Sequence, residues 1–182
     1  YASGARAPIV MANVNRTVAS PWAFWPDQTD SLAQRDTGWI QFYVETAQEA
    51  RDAVIQAFRI AEQVLLPVLV NLDAFYVSHS LEPVSVPAQA LVDAYLPPFA
   101  PTQRLDTAQP SSWGNVVSQD MYYRHRQDIE AAIEIVTRYV DQSGGQLRHR
   151  IISSPHEALI KQIETSTWFD SQDVLDLDGE TV

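Results

Sequence analysis

Between Asn13 and Trp39 the sequence reads NVNRTVASPWAFWPDQTDSLAQRDTGW, a stretch that gathers Arg16, Arg35, Asp27, Asp30, Asp36, Trp22, Trp25 and Trp39. Its apolar residues follow neither a helical nor a strand period throughout, so charged and aromatic side chains are concentrated where the backbone is irregular. Arg16 comes directly after a short apolar run. A guanidinium at the end of a strand can point into a crevice and take a carboxylate through two parallel N–H···O bonds. A surface arginine closing a salt bridge has the same spacing. Asp27, Asp30, Arg35 and Asp36 read equally well as an internal ion-pair network that holds a loop, and Trp22, Phe24 and Trp25 as core. From residue types alone the stretch is a candidate anion-binding loop with no reaction attached.

Little else in the chain competes with it. His79, His125, His149 and His156 are scattered without metal-ligand spacing and read as structural or solvent-exposed. There is no P-loop, GxGxxG or GxSxG. Glu130 and Glu134 lie one helical turn apart and are best explained as a solvated helix face. The 182 residues contain no cysteine, hence no disulfide and no thiolate ligand for zinc or an iron–sulfur cluster, and no metal site is expected on this chain. A net charge of -11 argues against a nucleic-acid or anionic-membrane surface. With neither a long apolar run nor a signal-like start, a cytoplasmic location is expected. The opening at Tyr1 and the stop at Val182 suggest a fragment.

The elements that must position these residues follow from local patterns. "PIVMANV" (Pro8 to Val14) predicts a strand covered on both faces. "WIQFYVE" predicts a strand alternating Ile40, Phe42 and Val44 against Gln41 and Glu45. Thr46 and Glu49 form a capping box opening a helix whose apolar face is Ala50, Val54, Ala57, Phe58 and Ala61. "LLPVLVNL" (Leu65 to Leu72) predicts a further buried strand. This alternation implies an α/β layer with a parallel sheet, in which ligands gather at the carboxyl ends of the strands. The proline-rich "LPPFAPTQRLDTAQP" reads as an extended linker. Ile129, Ala132, Ile133, Val136 and Val140 then repeat as a connecting helix stopped by Gly144 and Gly145. Ser154-Pro155-His156-Glu157 caps a shorter helix, and an acidic tail follows.

The run from Tyr1 through "NVNR", "DQTDS", "QRDTGWIQ" and "QEA", continued by "LLPVLVNLDAFYVSHSLEPV" and "LVDAYLPP", resembles the alpha subunit of the 2-oxoacid:ferredoxin oxidoreductases, nearest the pyruvate-oxidising (pyruvate synthase) branch. The resemblance covers about three quarters of the chain and fades beyond Gly145. It implies a thiamine diphosphate enzyme that oxidatively decarboxylates a 2-oxoacid, passes electrons through [4Fe-4S] clusters to ferredoxin and releases acyl-coenzyme A. The implied fold is the back half of a pyrimidine-binding domain over 1–108, a connecting linker and helix over 109–145, and the approach to a transketolase C-terminal-like domain over 146–182.

Carried over by position, Arg16 matches the family arginine that binds the substrate carboxylate. Thr17 to Ser31 matches the loop lining the substrate cavity, so Asn15, Thr17, Asp27, Gln28 and Asp30 become candidate active-site residues; no catalytic residue is expected within the fragment. Relatives carrying "GDH" or "NDQ" differ from Pro26-Asp27-Gln28, which leaves no imidazole in the loop. The resemblance places Mg²⁺ and the clusters on partner chains, with beta, gamma and delta subunits, ferredoxin and coenzyme A as partners. It leaves open pyruvate against a branched acid such as 2-oxoisovalerate, and a catalytic against a non-catalytic assembly subunit.

Overall fold

Proline and β-branched residues divide this chain into strands and helices with sharp limits. In the computed structural model, which describes residues 1–142 except 19, 20, 22, 24–26, 102 and 115, and only the backbone of 139–142, three strands form one parallel sheet. They are β1 (Val10–Asn15), β2 (Ile40–Val44) and β3 (Val68–Asp73), in the spatial order β1-β3-β2. Val68 aligns with both Val10 and Ile40, and Val70 with Ala12 and Phe42. The fold is therefore α/β, a parallel sheet flanked by helices. Gly144, Gly145, the cap at Ser154 and the acidic tail lie outside the described residues.

A short helix α1 (Thr29–Leu32) follows the loop after β1. The long helix α2 (Ala47–Val64) connects β2 to β3. Thr46 caps it, its Oγ1 accepting from Glu49 N–H at 3.1 Å, while the Glu49 carboxylate reaches back to Glu45 N–H at 2.9 Å. Leu65 ends it in the left-handed region, two residues before Pro67. Its buried apolar stripe is Ala53, Ala57, Ile60, Ala61 and Val64, rotated from the predicted one: Ala50 and Val54 are only half-buried and Phe58 is exposed. The stripe carrying Ile60 and Val64 buries more apolar surface, and beside it the fully buried Asp52 carboxylate accepts a hydrogen bond from Gln48 Nε2 and pairs with the Arg51 guanidinium.

The core lies on one face of the sheet. Ile40, Phe42 and Val44 of β2 and Val68 and Val70 of β3 meet that stripe of α2. The helix α4 (Gln119–Gln142), the last among the described residues, adds Ile129, Ala132, Ile133 and Val136 to the same cluster. Fully burying each such aliphatic or aromatic side chain contributes about 1.5–3 kcal/mol. Between β3 and α4 runs a helix α3 (Gln89–Tyr95), held near α2 by Arg59, whose Cζ stands 5.9 Å from the Tyr95 ring centroid. The proline-rich passage after it has no helix or strand among its described residues.

Two expectations change. β3 is buried over Val68–Asn71, but β1 is not covered on both faces: Met11 and Val14 are exposed, as is Ile9 just before them. Only Val10 packs on the core cluster, because β1 is an edge strand reached by α2 at its beginning. Gln41, read as outward-facing, is fully buried. No helix among the described residues is long and apolar enough to cross a membrane.

Candidate functional site

The face of the sheet opposite α2 is polar, and strand alternation explains why. Asn13, Asn71 and Tyr43 fall in one register row and Asn15 with Asp73 in the next, all on the parity that the apolar core does not use. A buried polar group must find a partner, and here they find one another. Asn13 Nδ2 donates to Asn71 Oδ1 at 3.0 Å, and Asn71 Nδ2 donates to Phe42 O at 3.0 Å. Gln41 Nε2 donates to Ser31 O at 2.9 Å, while Tyr43 O–H donates to Gln41 Oε1 at 2.7 Å and lies 2.9 Å from Ser31 Oγ. Burial pushes the Tyr43 phenol above its ordinary range, the Ser31 bond working against that.

Asp30 gathers the loop onto this face. Its carboxylate accepts from Asn15 Nδ2 at 2.7 Å, Ser31 N–H at 2.7 Å, Arg16 N–H at 3.0 Å and Asn13 Nδ2 at 3.4 Å. Charge-assisted bonds to a carboxylate are stronger than neutral ones, so four donors on one group fix the backbone at the turn where Arg16 leaves β1. The other candidates are smaller anchors. Thr17 Oγ1 accepts from Ala23 N–H, and Gln28 Nε2 donates to Asp73 Oδ1 at 2.7 Å, tying the loop after β1 to the end of β3. Asp27 accepts from Thr29, whose hydroxyl and main-chain N–H hold its carboxyl below the usual range.

The expected ion-pair network is not what holds the loop. Among the described residues Arg35 and Asp36 pair with each other, at 3.8 Å on an exposed turn, while Asp27 and Asp30 bind hydroxyl, amide and main-chain donors. Trp22, Phe24 and Trp25 lie outside the described residues. The "DTGW" motif is architectural as well. Gly38 adopts φ +80°, and a Cβ there would stand 3.0 Å from the Ser3 side chain, which itself donates to Thr37 O.

Arg16 stands at the carboxyl end of β1, half-buried, with its guanidinium Cζ 5.2 Å from the centroid of the Phe75 ring. Phe75 belongs to the turn after β3. The structure thus brings the ends of two parallel strands together at one pole of the sheet, the place where an α/β layer takes its ligands. Asn15, fully buried beneath, keeps Oδ1 without a hydrogen-bond partner among the described residues, an acceptor awaiting an N–H or O–H. The amino end of α2 at the same pole is occupied: Glu82 accepts from Ala47 N–H at 3.0 Å.

Residue spacing did not reveal Phe75, Ser78 or His79. The available signal was position, since "DAFYVSH" directly follows a buried strand in the same way that "RTV" follows β1. Of the histidines, His79 is exposed and stacked on Phe75, His125 bonds Gly4 O, and His149 and His156 lie outside the described residues. Glu134 meets Arg138 at 3.7 Å on the exposed side of α4, as expected of a solvated face.

Comparison with known proteins gives a consistent set of matches. The family model described as pyruvate flavodoxin/ferredoxin oxidoreductase, thiamine diphosphate-binding, matches residues 1–143. The pyruvate synthase subunit PorA of Methanothermobacter thermautotrophicus is 44% identical over 144 residues, covering 78% of this chain and 38% of that protein. The ketoisovalerate oxidoreductase subunit VorA of Pyrococcus horikoshii is 44% identical over 151 residues, covering 82% and 38%. The PorA of Pyrococcus furiosus is 40% identical over 145 residues, covering 78% and 37%. The chain thus spans less than two-fifths of the length of these relatives.

Proposed function

Because this chain belongs to the pyruvate flavodoxin/ferredoxin oxidoreductase, thiamine diphosphate-binding family, we propose that it is the alpha-subunit portion of a 2-oxoacid:ferredoxin oxidoreductase in which Arg16 binds the substrate carboxylate. The observation that carries this reading is the placement of Arg16: its main chain is fixed by Asp30 and its guanidinium lies over Phe75 at the carboxyl pole of the sheet. A guanidinium in a partly desolvated crevice attracts a carboxylate more strongly than one in water, and its planar fork also orients it. Asp30, Gln28 and Thr17 hold the loop so that this orientation persists.

The residues at this pole suit one part of the family's cofactor. The buried Asn15 Oδ1 offers an acceptor to an N–H of a bound heterocycle. Following the family resemblance, we assign the diphosphate and its Mg²⁺ to a partner chain. When bound, thiamine diphosphate supplies the carbon nucleophile and electron sink that decarboxylating a 2-oxoacid requires. Cysteine-bound [4Fe-4S] clusters, ferredoxin and coenzyme A likewise belong to the multi-chain complex in which this chain works. Pyruvate is the substrate we propose; the equal identity to a pyruvate and a ketoisovalerate relative makes 2-oxoisovalerate the comparison substrate.

The test is steady-state reduction of ferredoxin or a viologen dye by the complete complex, with each 2-oxoacid varied and melting temperature recorded in parallel. Arg16→Ala should leave melting unchanged and cost about 2–5 kcal/mol in kcat/KM, tens- to thousands-fold. Arg16→Lys should restore part, since an ammonium lacks the planar fork. Arg104→Ala, exposed in the proline-rich passage, should cost little. Near-wild-type kinetics for Arg16→Ala would overturn the assignment.

A further inference from the structure

Phe75 has a conformation that few phenylalanines adopt. Its φ is +64°, in the left-handed region where a non-glycine residue is uncommon and a bulky one is strained. The turn that imposes it is heavily determined. Asp73 O accepts from Val77 N–H at 3.1 Å and from Ser78 N–H at 3.4 Å, and Phe75 N–H donates to Ser78 Oγ at 3.1 Å. Ser78 Oγ is 2.8 Å from His79 Nδ1, and the imidazole lies against the Phe75 ring at 4.5 Å between centroids and 25° between planes. Arg16 also approaches this ring, its guanidinium carbon 5.2 Å from the Phe75 centroid. Three side chains from two loops, some sixty positions apart, are thus associated through one ring.

Resting on the reading of Arg16 given above, we propose that Phe75, backed by His79, is a positioning residue that aims the Arg16 guanidinium at the 2-oxoacid carboxylate and thereby helps to set substrate affinity. A ring engages the face of a guanidinium, whereas a carboxylate is taken at its N–H edge, so the two contacts do not compete. Neither glycine nor an aliphatic residue at 75 can do this: glycine relieves φ but supplies no face, and leucine supplies bulk without a quadrupole. His79, bonded through Nδ1 to Ser78, keeps the ring from turning away and touches no reacting atom.

The experiment is a double-mutant cycle in the complete complex, read as KM and kcat for the 2-oxoacid, with melting temperature as the folding control. Phe75→Leu should raise KM about 3- to 30-fold with kcat within about 2-fold, and Phe75→Tyr, which keeps the ring, should restore KM. His79→Ala should raise KM less than Phe75→Leu does, and His79→Phe, which keeps a stacking partner, should recover it. Adding Phe75→Leu to Arg16→Ala should cost nothing further, because a positioning residue has nothing left to position. Losses that multiply in the double variant, or an unchanged KM in Phe75→Leu, would overturn the proposal while leaving Arg16 as the carboxylate ligand. An Arg16→Ala variant with wild-type kinetics would overturn both. If Phe75→Leu lowers melting, the His79→Phe and Phe75→Tyr rescues decide: no difference in KM between His79→Ala and His79→Phe rejects the platform.

Discussion

Tyr43 is the half-buried phenol of the polar face, and its neutral form is the one the fold uses: O–H to Gln41 Oε1, with Ser31 Oγ alongside. Its pKa is raised by burial, so the stability it contributes is fully present below the unfolded value of about 10 and is lost as pH rises from there through the folded value. Tyr43→Phe should therefore cost about 1 kcal/mol near neutrality and flatten the alkaline fall in melting temperature; an unchanged alkaline limb would show that Tyr43 titrates alike in the folded and unfolded states. Legibility at this scale is uneven. Arg16 was visible because it follows a strand signal directly, and its assignment came from resemblance. Asp30 was visible as a residue that holds the loop, but its partners were not, since its donors include Asn13 and two main-chain groups rather than an arginine. Phe75 escaped notice, and His79 reads only as structural or solvent-exposed, because rings stacked beside Arg16 leave no local periodicity.

Helix α2 shows what patterns along a chain do and do not convey. The capping box was readable as Thr46 and Glu49 three residues apart, and both partners make their bonds. Thr46→Ala should cost about 1 kcal/mol, seen as a lower melting temperature of the complex with KM for the 2-oxoacid unaltered. A raised KM would mean that the start of α2 shapes the site directly. The helix face was less readable, because stripes through Phe58 and through Ile60 both have helical spacing and only the sheet decides between them. Buried Gln41, Asp52, Gln56 and Asn71 argue the same way: a polar residue reads as outward until its partner is known. The loop after β3 is an element of this kind. Gln48 exchanges two hydrogen bonds with Ser85, Oε1 accepting from its N–H at 2.7 Å and Nε2 donating to its carbonyl at 3.3 Å, which fastens that loop along α2.

For the molecule as a whole, the strand–helix–strand order and the parallel sheet were legible, while the exposure of β1 was not, because an apolar strand gives no sign of standing at an edge. Ile9, Met11 and Val14 present apolar surface along an edge that no described strand pairs, a template for association. The isolated 182-residue chain should therefore elute as broad, concentration-dependent species on size exclusion with light scattering. Met11→Lys with Val14→Lys should shift it toward monomer. A sharp monomer peak for the unmodified chain would show that this edge is harmless.

At the pole away from Arg16, the Arg6 guanidinium donates to Val64 O at 2.8 Å and to Asp128 O at 2.9 Å, so the opening segment, the end of α2 and α4 are joined at one point. All three strands begin on that side and deliver their chemistry on the other. Knotting the framework at its starting pole relieves the opposite loops of part of the work of closing the fold. If Arg16 takes the substrate as proposed, residues around it can be exchanged to suit acids of different bulk, generation after generation, without renegotiating how the polypeptide finds its shape.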